Sequence, residues 1–171
     1  MRTGVSRILL LLGLVSAFFL AFTILCYVRS VENENLRGFS PFSLPSLTGS
    51  YNVSIRELND SEIVLIFVSQ GCRPCEELLE DLRALPLEEY EHVKFVVIVL
   101  AENKSIGLKE YGDYLTQNVV FLFDENLQTF KKYGICAVPT TILIDREGKI
   151  ALKVVGDRSI PELEKALEKF E

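Results

Sequence analysis

Four short apolar, β-branched runs constrain this chain most: "EIVLIFV" at 62–68, "VKFVVIVL" at 93–100, "VVFLF" at 119–123 and "PTTILID" at 139–145. Each is short enough for a strand, and the runs at 62–68 and 93–100 are apolar enough to predict strands buried on both faces. The segments between them have helical spacing. In "CEELLEDLRAL", Leu78, Leu79, Leu82 and Leu85 share one face, acids occupy the other, and Pro86 stops the helix. Residues 106–115 read as a second helix with Leu108, Tyr111 and Leu115 on one side. "DENLQTFKKYG" reads as a third, with Leu127 and Phe130 inward and Gly134 as its stop. "KIALKVV" follows "PTTILID" after only "REG", which makes those two strands a hairpin. A last helix opens at "SIPE", with Ser159 and Glu162 spaced as a capping box and Leu163, Leu167 and Phe170 inward. Strands that alternate with helices and end in an antiparallel pair predict a layered α/β domain with a mixed central sheet.

The N-terminus is different. "ILLLLGLVSAFFLAFTILCYV", residues 8–28, contains no charge and no proline. That is about 21 residues, or roughly 31 Å of helix, matching a hydrocarbon core of about 30 Å. Arg2 and Arg7 precede it, which favours a cytoplasmic N-terminus and a domain on the far side of the membrane. A cleaved signal peptide is the rival reading. It would have a shorter apolar core and small residues at its cleavage site, whereas Phe22, Ile24 and Leu25 are bulky. Cys26 lacks the small residue expected before a lipidated cysteine. The expected organisation is a cytoplasmic 1–7, a transmembrane anchor 8–28, a polar linker 29–38 and a folded domain 39–171 in the cytoplasmic membrane's outer space.

The whole chain has 18 basic and 24 acidic residues, net −6, with no basic cluster in the domain. That argues against nucleic acid and against docking on anionic lipid.

"SQGCRPCEEL" carries the chemistry. Cys72 and Cys75 flank two residues where a buried strand gives way to a helix. A sulfur there meets unpaired backbone N–H groups and the positive end of the helix dipole, and Arg73 adds a positive charge; all favour thiolate, the attacking species in disulfide exchange. Cys75 lies one turn on, and Pro74 fits the first turn because its missing N–H is no loss there. Cys72 is thus the expected nucleophile and Cys75 the more buried resolving thiol. Glu76 and Glu77 oppose a second negative charge. Other readings are open. Structural zinc would need Cys136 and His92, the only histidine, as further ligands, and neither is part of a spaced pair. An inert disulfide would close too short a loop to gain much. No metal or other cofactor is expected.

"VLIFVSQGCRPCEEL", with "YGICAVPTTILIDREGKI" some sixty residues later, resembles the thioredoxin superfamily, and within it the membrane-anchored TlpA-like group that includes the cytochrome c maturation reductases. "FSLPSLTGSYNVSIREL" is similar to that group's N-terminal extension. The resemblance implies a thioredoxin-like three-layer sandwich over about 39–171. It implies a nucleophile at Cys72, a resolving cysteine at Cys75, and a cis-proline at Pro139. Val138 before it would offer backbone groups to a substrate strand. It implies an anchored extracytoplasmic thiol–disulfide oxidoreductase that reduces protein disulfides, in cytochrome c or metalloprotein maturation, with electrons from a membrane protein.

Three departures stand out. The tryptophan usual before the first cysteine is Gly71. The buried acid six residues before it is Ile66, and the glutamate three residues after the second cysteine is Leu78. The proton acceptor for Cys75 is therefore left between Glu76, Glu77 and water. Cys136, three residues before Pro139, is either packing or a third redox thiol. The alternatives in function are a copper chaperone on the same fold, a disulfide-donating oxidase and a peroxiredoxin. The first expects Cys-x-x-x-Cys and a late histidine, and the last expects Thr-x-x-Cys; the domain has neither pattern.

Overall fold

The structure, a computed structural model, describes residues 20–24, 41–55, 61–157 and 159–169. The chain divides into two units, Met1–Leu36 and Arg37–Glu171. In the first, residues 20–24 are helical and exposed. The expected segment 1–7, most of the anchor 8–28 and the linker 29–38 lie outside the described residues. Among the described residues, no helix is long and apolar enough to cross a membrane.

The second unit is built on a five-stranded sheet. Its elements are β1 (Ser43–Pro45), β2 (Asn52–Ser54), β3 (Glu62–Ser69), α1 (Arg73–Ala84), β4 (Val93–Leu100), α2 (Lys104–Tyr111), β5 (Val119–Phe123), α3 (Gln128–Lys132), β6 (Thr140–Ile144), β7 (Ile150–Val155) and α4 (Ser159–Leu167). Strand order is β5-β4-β3-β6-β7, with β1 and β2 in a separate antiparallel pair. β3 runs parallel to β4, β4 parallel to β5, β3 antiparallel to β6, and β6 antiparallel to β7. The mixed sheet and closing hairpin are those the sequence pattern predicts.

Both faces of the sheet are covered, which is why β3 from Ile63 to Val68 and β4 from Phe95 to Leu100 are continuously apolar. Alternate residues sort by the two-residue period. Val64, Ile66 and Val68 of β3 join Phe95, Val97 and Val99 of β4 in one core, closed by Leu78, Leu79 and Leu82 of α1 and Ile160, Leu163 and Leu167 of α4. Ile63, Leu65 and Phe67 face the other way, toward Phe42, Leu44, Ile55, Phe130 and Tyr133. Three layers result. Leu85, the C-cap of α1, is half-buried at a bend in the chain, and Pro86 follows it.

Two expected helices differ in detail. The second runs Lys104–Tyr111, with Asn103 accepting from the Ile106 amide at its start, then tightens into a 3-10 turn over Gly112–Tyr114. It starts two residues before the expected 106–115 segment. Its inward residues are Gly107 and Tyr111, while Leu108 is exposed. An ideal Cβ on Gly107 would lie 3.2 Å from Val99 Cγ1 and 3.4 Å from Leu47 Cδ1. Close approach to the sheet thus puts the smallest residue inward and rotates Leu108 outward. The third helix, α3, is short. Leu127 precedes it in the left-handed region at φ 55°, half-buried rather than fully inward. Asp124 does the capping: its buried carboxylate accepts from the amides of Gln128, Thr129 and Phe130 and from the Thr129 hydroxyl. Glu162 of the expected capping pair is exposed in the first turn of α4, while the side chains of Ser159 and Phe170 lie outside those described.

Candidate functional site

The site begins where β3 ends. Parallel pairing with β4 and antiparallel pairing with β6 hold β3 to Ser69, and Gln70 and Gly71 then turn the chain into α1. Gly71 has φ +72°, a conformation that L side chains resist. That accounts for glycine where a tryptophan is usual. An ideal Cβ at Gly71 would meet nothing within 4 Å, so backbone conformation rather than space selects it.

Cys72 is the N-cap of α1, with φ −102° and ψ 91°, and makes no side-chain cap hydrogen bond. Its carbonyl accepts from the Cys75 and Glu76 amides at 3.0 and 3.3 Å, opening the helix. Pro74 sits in the first turn, where no amide is required. Cys72 and Cys75 form a disulfide, with Cα atoms 5.2 Å apart. Cys75 is fully buried in the core below α1, whereas Cys72 lies partly exposed at its margin. A partner therefore reaches the disulfide from the Cys72 side.

Arg73 is exposed and donates to the Glu77 carboxylate at 3.1 Å, so its charge is shared with an acid rather than directed at Cys72 alone. Glu76 is half-buried. Ile66 and Leu78, the positions at which the family resemblance leads one to look for acids, are fully buried in the apolar core.

The Val138–Pro139 peptide bond is cis. β3 and β6 pair with Phe67 opposite Thr140. Continuing that register puts Pro139 beside Val68 and Val138 beside Ser69, at the sheet end that carries the dithiol. Pro139 is buried and its carbonyl accepts from the Gly156 amide at 2.8 Å. The Thr140 hydroxyl donates to Ala137 O at 2.7 Å and ties the loop to the strand. Val138 is half-buried and touches both cores. Cys136 lies exposed in the same loop, its thiol 3.7 Å from Gly134 O.

His92 is elsewhere. It precedes β4 at the opposite end of the sheet, its Nε2 4.0 Å from a Glu62 carboxylate oxygen. The parallel pairing sets Glu62 beside Val93 and Ser69 beside Leu100. Seven residue steps along β3 separate Glu62 from Ser69, roughly 23 Å of strand. The Cys₃His zinc set is thereby ruled out by distance. Among the described residues, no group of three or more His, Cys, Asp or Glu side chains could hold a metal ion.

Two residues that sequence reading did not assign to the site come from α2. The Gly71 amide donates to the Glu110 carboxylate at 2.6 Å, and the Tyr111 hydroxyl donates to Ser69 O at 2.6 Å. Burial, then the nearby charges of Glu110 and Glu76, push the Tyr111 hydroxyl well above the usual tyrosine range and keep it a donor. No local sequence signal marks these contacts, because they join residues 39 and 42 positions apart.

The thioredoxin-like domain family matches residues 53–171. The chain is 24% identical over 129 residues to the thiol-disulfide oxidoreductase ResA of Bacillus thuringiensis subsp. konkukian, covering 75% of this chain and 74% of that protein. It is 28% identical over 127 residues to ResA of Halalkalibacterium halodurans, covering 74% and 72%. Among solved structures, a thiol:disulfide interchange protein DsbE from Chlorobium tepidum superposes with a TM-score of 0.66 at 26% identity, over 77% of this chain and 94% of that one. StoA from Bacillus subtilis gives 0.61 at 21% identity, over 75% and 96%, which speaks to the fold. With the strand–dithiol–helix geometry and the cis proline in place, the family match over most of the chain means that this protein belongs to the thioredoxin-like family.

Proposed function

We propose that this protein is a membrane-anchored, extracytoplasmic reductase of protein disulfides, acting through Cys72 and Cys75. The broader part is thiol–disulfide exchange on protein substrates, which the thioredoxin-like fold and the named relatives support. The observation that carries the assignment of roles is the asymmetry of the disulfide, with a partly exposed Cys72 and a fully buried Cys75.

In the reduced protein, the Cys72 thiolate attacks one sulfur of a substrate disulfide. The other substrate sulfur leaves as a thiolate and takes a proton. Cys75, having lost its proton, then attacks Cys72 Sγ and expels the second substrate sulfur. Two electrons pass to the substrate, which ends as a dithiol, and the protein ends as the Cys72–Cys75 disulfide. A donor dithiol must restore it. Since the apolar run 8–28 would hold the chain at the membrane, a membrane protein carrying electrons across the bilayer suits that role. Val138 and Pro139, beside the dithiol, would receive a substrate strand by backbone pairing. Apocytochrome c or an assembling metalloprotein is the substrate class suggested by family resemblance.

The test is a redox titration of the full chain in detergent against glutathione and dithiothreitol. A potential near about −270 mV, or lower, supports the reductase. A value near about −120 mV indicates a disulfide donor and sinks it. Cys75→Ser should accumulate mixed disulfides through Cys72, and trapping through any other cysteine would overturn the roles. Protease added to right-side-out spheroplasts should digest the domain; protection there would overturn the orientation.

A further inference from the structure

The turn that presents Cys72 is held from outside. Ser69 O receives the Tyr111 hydroxyl, the Gln70 amide donates to Leu100 O, and the Gly71 amide donates to Glu110. The Gln70 side chain accepts from the Glu102 amide at 3.1 Å. Glu110 and Tyr111 are consecutive at the end of α2, so their side chains diverge by about 100° and reach two points of one turn. Of these contacts, only that from Glu110 brings a side-chain charge to the turn. Its hydrogen bond is charge-assisted, and it lies one residue before the N-cap of α1. A negative charge at that point opposes what the helix N-terminus does for a thiolate.

We propose that Glu110 is a positioning residue for the dithiol: it fixes the Gly71–Cys72 turn by its hydrogen bond, and its charge disfavours the Cys72 thiolate and so favours the disulfide over the reduced pair. This deepens the exchange reading above and rests on it. The sign follows from linkage: whatever destabilises thiolate destabilises the reduced form, and a couple with a less stable reduced form is the stronger reductant.

The other ionisable groups around the turn come from several elements. They are Arg73, Glu76 and Glu77 on α1, Glu102 before α2 with its amide on Gln70, Tyr111 on α2 with Tyr114 against its ring, and, on the loop that leads into β6, Cys136. Arg73 is tied to Glu77. Glu76 and Glu110 each push the Tyr111 hydroxyl up, so both lie within electrostatic range of that phenol. Among the described residues, Glu110 is the acid whose side chain hydrogen-bonds the turn itself.

The experiment follows the alkylation rate of Cys72 in the reduced full chain in detergent, from about pH 4 to about pH 10, by mass spectrometry of the Cys72 peptide. Glu110→Gln keeps an oxygen acceptor and removes the charge. Its Cys72 titration should move down by about half to one unit, raising the thiolate fraction at a fixed lower pH about three- to tenfold. Above both titration points, the glutathione equilibrium should favour the reduced form by a similar factor. Glu110→Ala should shift in the same direction and also speed exchange of the Gly71 amide with solvent. An unchanged profile in Glu110→Gln overturns the proposal whatever Glu110→Ala does. The result is separable from failure of the proposed function: a wild-type chain with an oxidising potential would end the reductase reading, while alkylation would still report whether Glu110 governs Cys72.

Discussion

The Tyr111 hydroxyl donates to the Ser69 carbonyl at 2.6 Å from a ring with no exposed surface, joining the end of α2 to the last residue of β3. The phenol spans the core from helix to strand end, and its ring also meets Tyr114 with centroids 6.4 Å apart. Tyr111→Phe preserves the packing and deletes the donor. A part-buried carbonyl loses its partner, so stability should fall by about 1 kcal/mol. The urea midpoint should drop with an unchanged slope. A midpoint equal to wild type would show that water replaces the phenol without cost.

Tyrosine burial also sets an alkaline limit. Tyr111 is raised above the usual tyrosine range by burial and by Glu110 and Glu76, and Tyr133 by burial. A raised folded pKa means that the folded state keeps a proton the unfolded state gives up. The stability this provides is fully present below the unfolded value of about 10 and is lost as pH rises beyond it. Urea midpoints should therefore decline above about pH 10, and the decline should be shallower in Tyr111→Phe and Tyr133→Phe. Equal slopes in all three proteins would rule out these phenols as the cause.

What the sequence made legible follows from the range of the interactions. The four strands were readable because each is buried on both faces, so a local apolar run sufficed. Cys72 and Cys75 were readable because their chemistry needs only a strand end and a helix start. Pro139 was read by family resemblance, and the cis bond at Val138–Pro139 agrees with it. Glu110 was not legible, because its contact to Gly71 depends on how α2 crosses the sheet end. Leu108 was misread as inward because an apolar residue at helical spacing is ordinarily the better candidate than a glycine. Tertiary closeness to Val99 and Leu47 reversed that preference. The N-terminal span remains an expectation drawn from the run at 8–28.

At the sheet's other end, a buried acid is held by one arginine. Glu62 is 2% exposed, and Arg146 donates to it through Nε at 2.6 Å and through a terminal nitrogen at 3.3 Å. The pair is 84 residues apart in sequence and links the start of β3 to the turn after β6. Arg146→Ala leaves the carboxylate buried without its main donor and should cost about 1.5–3 kcal/mol. Glu62→Leu combined with Arg146→Leu removes both charges and should cost less than the sum of the two single changes. Denaturant melts of the four proteins measure this directly. Simple additivity would mean that the pair contributes no coupling.

The packing of α2 on the sheet can be tested at Gly107. A Cβ there would lie 3.2 Å from Val99 Cγ1, 3.4 Å from Leu47 Cδ1 and 3.5 Å from Ala101 Cβ. Those neighbours are side-chain atoms that can yield by a few tenths of an ångström. Gly107→Ala also gains helix propensity, about 1 kcal/mol, so the two effects should roughly cancel. Gly107→Val adds two more carbons where the fit is already tight and should cost about 1–3 kcal/mol through overpacking. Because α2 carries Glu110 and Tyr111, lifting it also loosens the turn before Cys72. Hydrogen exchange at the Gly71 amide should accelerate in Gly107→Val and stay near wild type in Gly107→Ala. If Gly107→Val were destabilised with Gly71 exchange unchanged, the turn would be held without help from the seating of α2.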